Sequence, residues 1–208
     1  MTNTNAAEQN RFRRFLRPIA ITVVVGGGAL GLAGASTAPL STEGKAPQVQ
    51  ATLVANLTEK ILYTYLGDSV VDMYDIADGK EPYPTPRGKF TIKKLTWNPS
   101  WRPPDSDWAK NKKPTGPGDP KNPMKVVKIF FKEPDYYIHG TADVGSMGYA
   151  ESHGCLRMRP EDVMKVGKWV MENGGSPREE NWFMRLIHSR REEKVIFLSQ
   201  PIAIRVVD

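Results

Sequence analysis

The sequence predicts a mainly β domain with a few helices. Three observations carry this. Short runs rich in Val, Ile, Leu and Tyr recur between turn residues, as half-buried strands require. Helical periodicity appears only after residue 160. The chain holds 17 prolines and 18 glycines in 208 residues, which implies long loops rather than a helical bundle.

Thr52–Asn56, Lys60–Leu66 and Ser69–Ile76 read as strands, with Gly67-Asp68 as a two-residue hairpin turn between the last two. Residues 79–88 are rich in turn formers. Lys89–Leu95 is the next strand. Residues 101–125 contain six prolines and no strand or helix pattern, a loop long enough to suggest a functional or mobile segment. Val126–Lys132 and Asp135–His139 resume strand character. Pro160 is a good first helical residue, and Glu161 and Asp162 suit the positive end of a helix dipole. Val163, Val166, Gly167 and Val170 then share one face, and Gly174-Gly175 ends the helix. Ser176-Pro177-Arg178-Glu179 has the pattern of a capping box for a second helix. In that helix Trp182, Phe183, Leu186 and Ile187 form an apolar stripe, a core or docking face. Val195–Leu198 and Ile202–Val207 are closing strands.

Hydrophobic residues make up 39% of the chain and charged residues 25%, in the range of a globular protein. The length fits one ordinary domain with a short extra segment. That segment is N-terminal. Arg11, Arg13, Arg14 and Arg17 precede an apolar run from Ile19 to Ala35, which closes on Ala33-Gly34-Ala35. This is the pattern of an export signal with an A-x-A cleavage site, or of an uncleaved membrane anchor. Residues 1–35 are assigned to that role, 36–50 to a polar linker and 51–208 to the folded domain. The protein is expected in the periplasm or cell wall, with a membrane as partner if the anchor is retained. The net charge is +6, half of it in the first 35 residues. The other basic residues sit singly among acids and make no nucleic-acid stripe, so no nucleic-acid partner is expected.

There is one cysteine, Cys155. An intramolecular disulfide and a zinc site with two thiolates are therefore excluded. In an exported protein a lone cysteine is either buried and inert or a working thiol. Its surroundings favour work. Tyr137-Ile138-His139-Gly140-Thr141 is followed by a Gly-rich stretch and then by Ser152-His153-Gly154-Cys155-Leu156-Arg157-Met158. A neighbouring imidazole can take the proton of a thiol and so make a nucleophile. His139 ends a strand and would be held rigidly. Amides around Gly154 and Cys155 are candidates for an oxyanion hole, and Arg157 for a cation facing a substrate carboxylate. Plainer readings exist for each: a hydrogen-bonded strand histidine, a loop-stabilising His153, a structural ion pair at Arg157. The spacing of these residues matches no common zinc pattern, and neither metal nor cofactor is expected.

The segment from His139-Gly140-Thr141 to Ser152-His153-Gly154-Cys155-Leu156-Arg157 resembles the signature of the L,D-transpeptidase catalytic domain family, also named YkuD or ErfK/YbiS/YcfS/YnhG. Thr85-Pro86-Arg87-Gly88-Lys89-Phe90-Thr91-Ile92 is similar to the family's "TPxGxFxI" segment. Asn98-Pro99-Ser100-Trp101-Arg102-Pro103-Pro104 is similar to its "NPxWxPP" segment. Gly116-Pro117-Gly118 with Asn122-Pro123-Met124 is similar to its "PG…NPLG" segment. The resemblance covers about residues 52–173.

It implies an L,D-transpeptidase-like β-sandwich of mixed sheets over 51–208, with one helix after the catalytic loop and an additional C-terminal helix. It implies action on peptidoglycan stem peptides. Cys155 would attack the carbonyl of the third stem residue and expel the terminal D-alanine. The thioacyl-enzyme would pass to an amine of a neighbouring stem, giving a 3→3 cross-link. His139 matches the base and the Gly140 carbonyl the group that orients it. Ser152, His153, Gly154 and Arg157 match positions near the substrate. Trp97 and Trp101 are placed either in the donor groove or in the core. The same site in an L,D-carboxypeptidase, or in an enzyme that links proteins to peptidoglycan or releases them from it, differs only in the acceptor. A cysteine peptidase acting on ordinary proteins shares the nucleophile, and a non-catalytic wall-binding module would need none. No separate wall-binding module is recognised, and the role of residues 174–193 is left open as lid, dimer face or packing.

Overall fold

The structure is a computed structural model and describes residues 49–189 and 191–208. The signal or anchor read over 1–35, and nearly all of the linker read over 36–50, lie outside the described residues.

The chain folds as a mixed sheet flanked by two helices, with a second, two-stranded sheet beside it. The strands are β1 (Ala51–Asn56), β2 (Ile61–Leu66), β3 (Ser69–Asp75), β4 (Asp78–Gly79), β5 (Gly88–Trp97), β6 (Lys125–Lys132), β7 (Tyr136–Gly140), β8 (Ala150–Ser152), β9 (Leu156–Met158) and β10 (Lys194–Val207). The helices are α1 (Pro160–Asn173) and α2 (Glu180–Ser189). The main sheet runs β3-β2-β1-β10-β5-β6-β7-β9, and β4 pairs with β8. The β1–β10 and β7–β9 pairs are parallel and the other main-sheet pairs antiparallel. The hairpin β2–β3 turns at Gly67-Asp68 as expected.

A parallel pair needs a crossover connection. Between β7 and β9 that connection is residues 141–155, the Gly-rich segment of the sequence. The small sheet holds it in place: β8 lies within it, and β4 is tied to the main sheet by a Lys60–Asp78 ion pair at 2.8 Å with Asp78 buried.

Strand alternation fixes the core. Leu95, Trp97, Val127, Ile129, Ile138, Leu156 and Met158 turn one way and are almost fully buried. Val163, Val166, Gly167 and Val170 of α1, the stripe its periodicity predicts, are buried, and Met171 joins them. The Trp97 indole donates to Met171 Sδ at 3.1 Å and meets Trp182 and Phe183 edge-on. Trp97 is thus a core residue, and α2 packs with it through buried Phe183 and Leu186. Truncating Trp97 to Ala should cost about 3–5 kcal/mol. The open question over residues 174–193 resolves, for the α2 stripe, as packing.

Two local expectations are corrected. The helix after Ser176 begins only at Glu180, because the Ser176 hydroxyl donates to the Phe197 carbonyl at 2.9 Å instead of capping. The two closing strands are one strand, β10, whose pairing with β5 skips between Phe197 and Ile202. Pro201 lies in the skipped stretch and has no N–H for a ladder. There Gln200 N–H donates to the Gly174 carbonyl at 3.0 Å, joining the strand to the end of α1.

Candidate active site

The site forms on the sheet face opposite the core. Lys128 of β6 pairs with His139 of β7, which pairs with Arg157 of β9; Phe130 pairs with Tyr137. Cys155 lies two residues before Arg157 and so follows the same alternation. One row of the sheet therefore carries Lys128, His139 and Arg157, and the next carries Phe130, Tyr137 and Cys155. These side chains line one cavity of about 830 Å³. Lys128 is aimed there by a break in β6. Pairing skips between Lys125, opposite Gly140, and Lys128, opposite His139, and Val126 sits at φ 68°. A β-branched residue in that region marks a deliberate bulge.

His139 is buried, and its Nδ1 lies 2.9 Å from the Gly140 carbonyl oxygen. A carbonyl only accepts, so Nδ1 carries the proton and Nε2 keeps its lone pair. Burial pushes the imidazole pKa down to about 3, and the charges of Arg157 and Lys128 act in the same direction, while the Gly140 bond opposes them. The ring is a neutral base. A side chain on Gly140 is excluded: a Cβ there would lie 2.6 Å from the Lys125 carbonyl oxygen.

Cys155 is half-buried, and its thiol donates to the Asp135 carbonyl at 3.2 Å. Burial raises the thiol to about 11, against the opposing effects of neighbouring Tyr137 and of the Lys128 charge. Thiol and imidazole are both neutral at rest. The thiol donates to the Asp135 carbonyl rather than to His139.

The other motif residues divide by role. Ser152 is buried; its hydroxyl donates to the Cys155 carbonyl at 2.6 Å and accepts from Gly154 N–H at 3.0 Å. It shapes the loop. Its bond also corrects one expectation: the Gly154 amide is taken and does not face the cavity as an oxyanion donor. Gly154 has φ 104°, and a Cβ there would lie 2.8 Å from the Tyr136 ring. Only glycine fits that close approach. His153 lies between two rings, stacked on Trp108 at 4.0 Å and tilted against Tyr83 at 5.2 Å. Its pKa is lowered, mainly by burial. Arg157 makes a 3.4 Å contact with Asp143 and lines the cavity.

Loop 101–125 supplies the far wall with Trp101, Arg102, Trp108, Lys112 and Lys121. It is more ordered than its sequence suggests: a 3₁₀ turn spans Asp107–Ala109, and Trp101 and Thr115 exchange main-chain hydrogen bonds at 2.8 and 2.9 Å. Trp101 is buried but borders the cavity, unlike Trp97. The sequence did not single out Tyr137 or Lys128. Among the described residues, no three His, Cys, Asp or Glu side chains converge as a metal site.

The family model of the L,D-transpeptidase catalytic domain, YkuD, matches residues 50–179. The chain belongs to the L,D-transpeptidase catalytic domain family. The putative L,D-transpeptidase YkuD of Bacillus licheniformis is 30% identical over 122 residues, 59% of this chain and 61% of that protein. The probable L,D-transpeptidase ErfK/SrfK of Escherichia coli K12 is 31% identical over 133 residues, 60% of this chain and 41% of that one. The match therefore spans about three-fifths or less of these relatives. A solved L,D-transpeptidase from Mycobacterium smegmatis superimposes with a TM-score of 0.50 at 17% identity, over 77% of this chain and 59% of that one, which shows the fold. In this L,D-transpeptidase domain the signature residues Cys155 and His139 line one cavity.

Proposed function

We propose that the protein is an exported peptidoglycan L,D-transpeptidase that forms 3→3 cross-links through a Cys155 thioacyl-enzyme. The observation that carries this reading is the His139–Gly140 contact. It leaves Nε2 as the base in the cavity that Cys155 also lines.

Substrate entry turns the thiol from the Asp135 carbonyl toward Nε2. The sulfur then attacks the carbonyl carbon of the third stem residue while Nε2 takes the thiol proton. The tetrahedral intermediate collapses: the C–N bond breaks, the proton passes from Nε2 to the departing amine, and D-alanine leaves. Nε2, again neutral, deprotonates the acceptor amine as it attacks the thioester. The C–S bond breaks, the thiolate regains a proton from the imidazolium, and the cross-link is released. The Gly140 carbonyl supports the brief imidazolium by accepting from Nδ1–H throughout.

Residues 1–35 deliver the domain outside the cytosol, to the periplasm or wall, with or without cleavage after Ala35. Mass spectrometry of the N-terminus of the mature protein tests this: an intact Met1 excludes cleavage.

The test of the activity uses purified tetrapeptide stems. Products with the mass of a dimer less one D-alanine are expected, with a transient adduct on Cys155, and Cys155→Ala should abolish both. Tripeptide without dimer would make water the acceptor and the protein an L,D-carboxypeptidase. A protein-linked muropeptide would make the acceptor a protein amine. Cross-linking retained by Cys155→Ala would overturn the cysteine mechanism.

A further inference from the structure

The cavity is strongly cationic. Arg102, Lys112, Lys121, Lys128 and Arg157 line it, against the carboxylates of Asp105 and Asp135. Among the described residues, the first four make no ion pair, and Arg157 makes only its 3.4 Å contact with Asp143. Three of the five are exposed rim residues. Lys128 is different.

Lys128 is half-buried, and desolvation pulls its pKa down. Its Nζ donates to the Ser100 carbonyl at 2.8 Å and lies 4.9 Å from the centre of the Tyr137 ring. An ammonium has three N–H donors, and the Ser100 carbonyl takes one. Burying a cation without a carboxylate partner is costly, and the β6 bulge directs it into the cavity all the same. The charged and titratable groups around it are Glu193, held by Ser100 and acting on Lys128 at longer range, Cys155, His139 and Tyr137. Tyr137 lines the cavity with Cys155 and favours its anion. The unfilled donors of Lys128 thus lie one side chain from the nucleophile.

We infer that Lys128 is the binding site for the terminal carboxylate of the acyl donor, the carboxylate of the residue that leaves. This rests on the transpeptidase reading above and names a recognition element within it. The chemistry requires such an element. In a donor ending in D-alanine, the carboxylate stands one residue beyond the scissile carbonyl, about 3.8 Å of main chain away. A sulfur acquiring negative charge must approach beside it, and the two anions repel. A cation that contacts the carboxylate and faces the sulfur removes that repulsion and seats the scissile bond in one operation. Arg157 is partly engaged by Asp143, and the rim cations are solvated, which leaves Lys128 as the half-buried cation with open donors, its charge acting on the Cys155 sulfur.

The experiment compares tetrapeptide donors bearing a free C-terminal acid or a C-terminal amide, following release of D-alanine or its amide by the full-length protein. The wild type should favour the acid by at least about tenfold, mainly in KM, the loss typical of one charge-assisted hydrogen bond. Lys128→Met and the closer-shaped Lys128→Gln should bring the acid-to-amide ratio near one. Lys128→Arg should keep most of it. A loss of fold abolishes turnover of both donors and shows in circular dichroism, and the acid preference of the wild type then still tests the assignment. Equal use of both donors by the wild type, or an unchanged ratio in both neutral variants, overturns the assignment. So does a dependence on Lys128 that vanishes when the third residue's own carboxylate is amidated but persists with the terminal amide. If neither donor leaves an adduct on wild-type Cys155 in the intact mass, the transpeptidase reading itself fails, an outcome distinct from the others.

Discussion

The indole of Trp108 stacks on the imidazole of His153 with ring centres 4.0 Å apart and planes 17° from parallel. This contact joins loop 101–125 to the loop that carries Cys155. Tyr83 closes the other side of His153 at 5.2 Å, so three separate chain segments meet at one ring.

Trp108→Ala should therefore loosen the far wall of the cavity without touching the thiol. Aromatic pairs add about 0.5–1.5 kcal/mol beyond burial, so the expected result is a KM for the donor raised roughly three- to tenfold with kcat changed less. Limited proteolysis should cut residues 101–125 faster in the variant. An unchanged cutting rate would mean that the loop is held by its own Trp101–Thr115 bonds instead.

The protonation state of Cys155 is open to a direct test. With the thiol raised to about 11 and the imidazole lowered to about 3, no thiolate–imidazolium pair exists in the free protein near neutrality. Alkylation by iodoacetamide follows the thiolate. Its rate should climb about tenfold per pH unit from pH 6 past pH 9, with no plateau. A plateau between pH 5 and 8 would mean a resting ion pair. Tyr137→Phe should lower the rate further at each pH, because the Tyr137 hydroxyl favours the anion.

Much of this was legible in the sequence where the signal is local. Alternation of apolar residues marks β1, β2, β3, β5, β6 and β7, and the 3.6-residue stripe with Pro160 and Gly174 bounds α1. Spacing marks Cys155 and His139, and the family resemblance adds Gly140. What sequence did not disclose is set by pairing across the sheet. Lys128 and Tyr137 join the site because β6 and β7 bring residues 128, 130, 137 and 139 into two rows, and the bulge at Val126 decides which way Lys128 faces. The strands β4, β8 and β9 have two or three residues each, too few for a period, and exist through their partners. At Ser176 and Gly154 the local pattern pointed to a cap and to an oxyanion donor. Tertiary or loop hydrogen bonds to the Phe197 carbonyl and the Ser152 hydroxyl claimed those groups first.

Gly154→Ala tests how much of the site depends on that loop geometry. The substitution places a Cβ 2.8 Å from the Tyr136 ring at a φ of 104°. Such a backbone costs a non-glycine residue about 1–3 kcal/mol. The variant should fold with a lowered melting temperature, and adduct formation at Cys155 should fall at least tenfold, since Cys155 follows directly. Full activity with unaltered melting would show that the loop relaxes without moving the sulfur.

The buried imidazole also ties stability to pH, with a sign that can be worked out. His139 has a folded pKa of about 3 against an ordinary 6.5. Between those values the unfolded chain binds the proton and the folded one does not. Acidification therefore favours unfolding, and the contribution of this group is fully present above pH 6.5 and lost as pH falls toward 3. The slope it adds is at most about 1.4 kcal/mol per pH unit. Carboxylates titrate over part of the same range, so the difference between wild type and His139→Gln isolates the imidazole. Urea unfolding at pH 7, 6, 5 and 4 should show the stability of the wild type relative to the variant falling steadily below pH 6.5. A difference that stays constant across that series would mean that the ring titrates alike in both states, and that it is not held as a neutral base beside the Gly140 carbonyl.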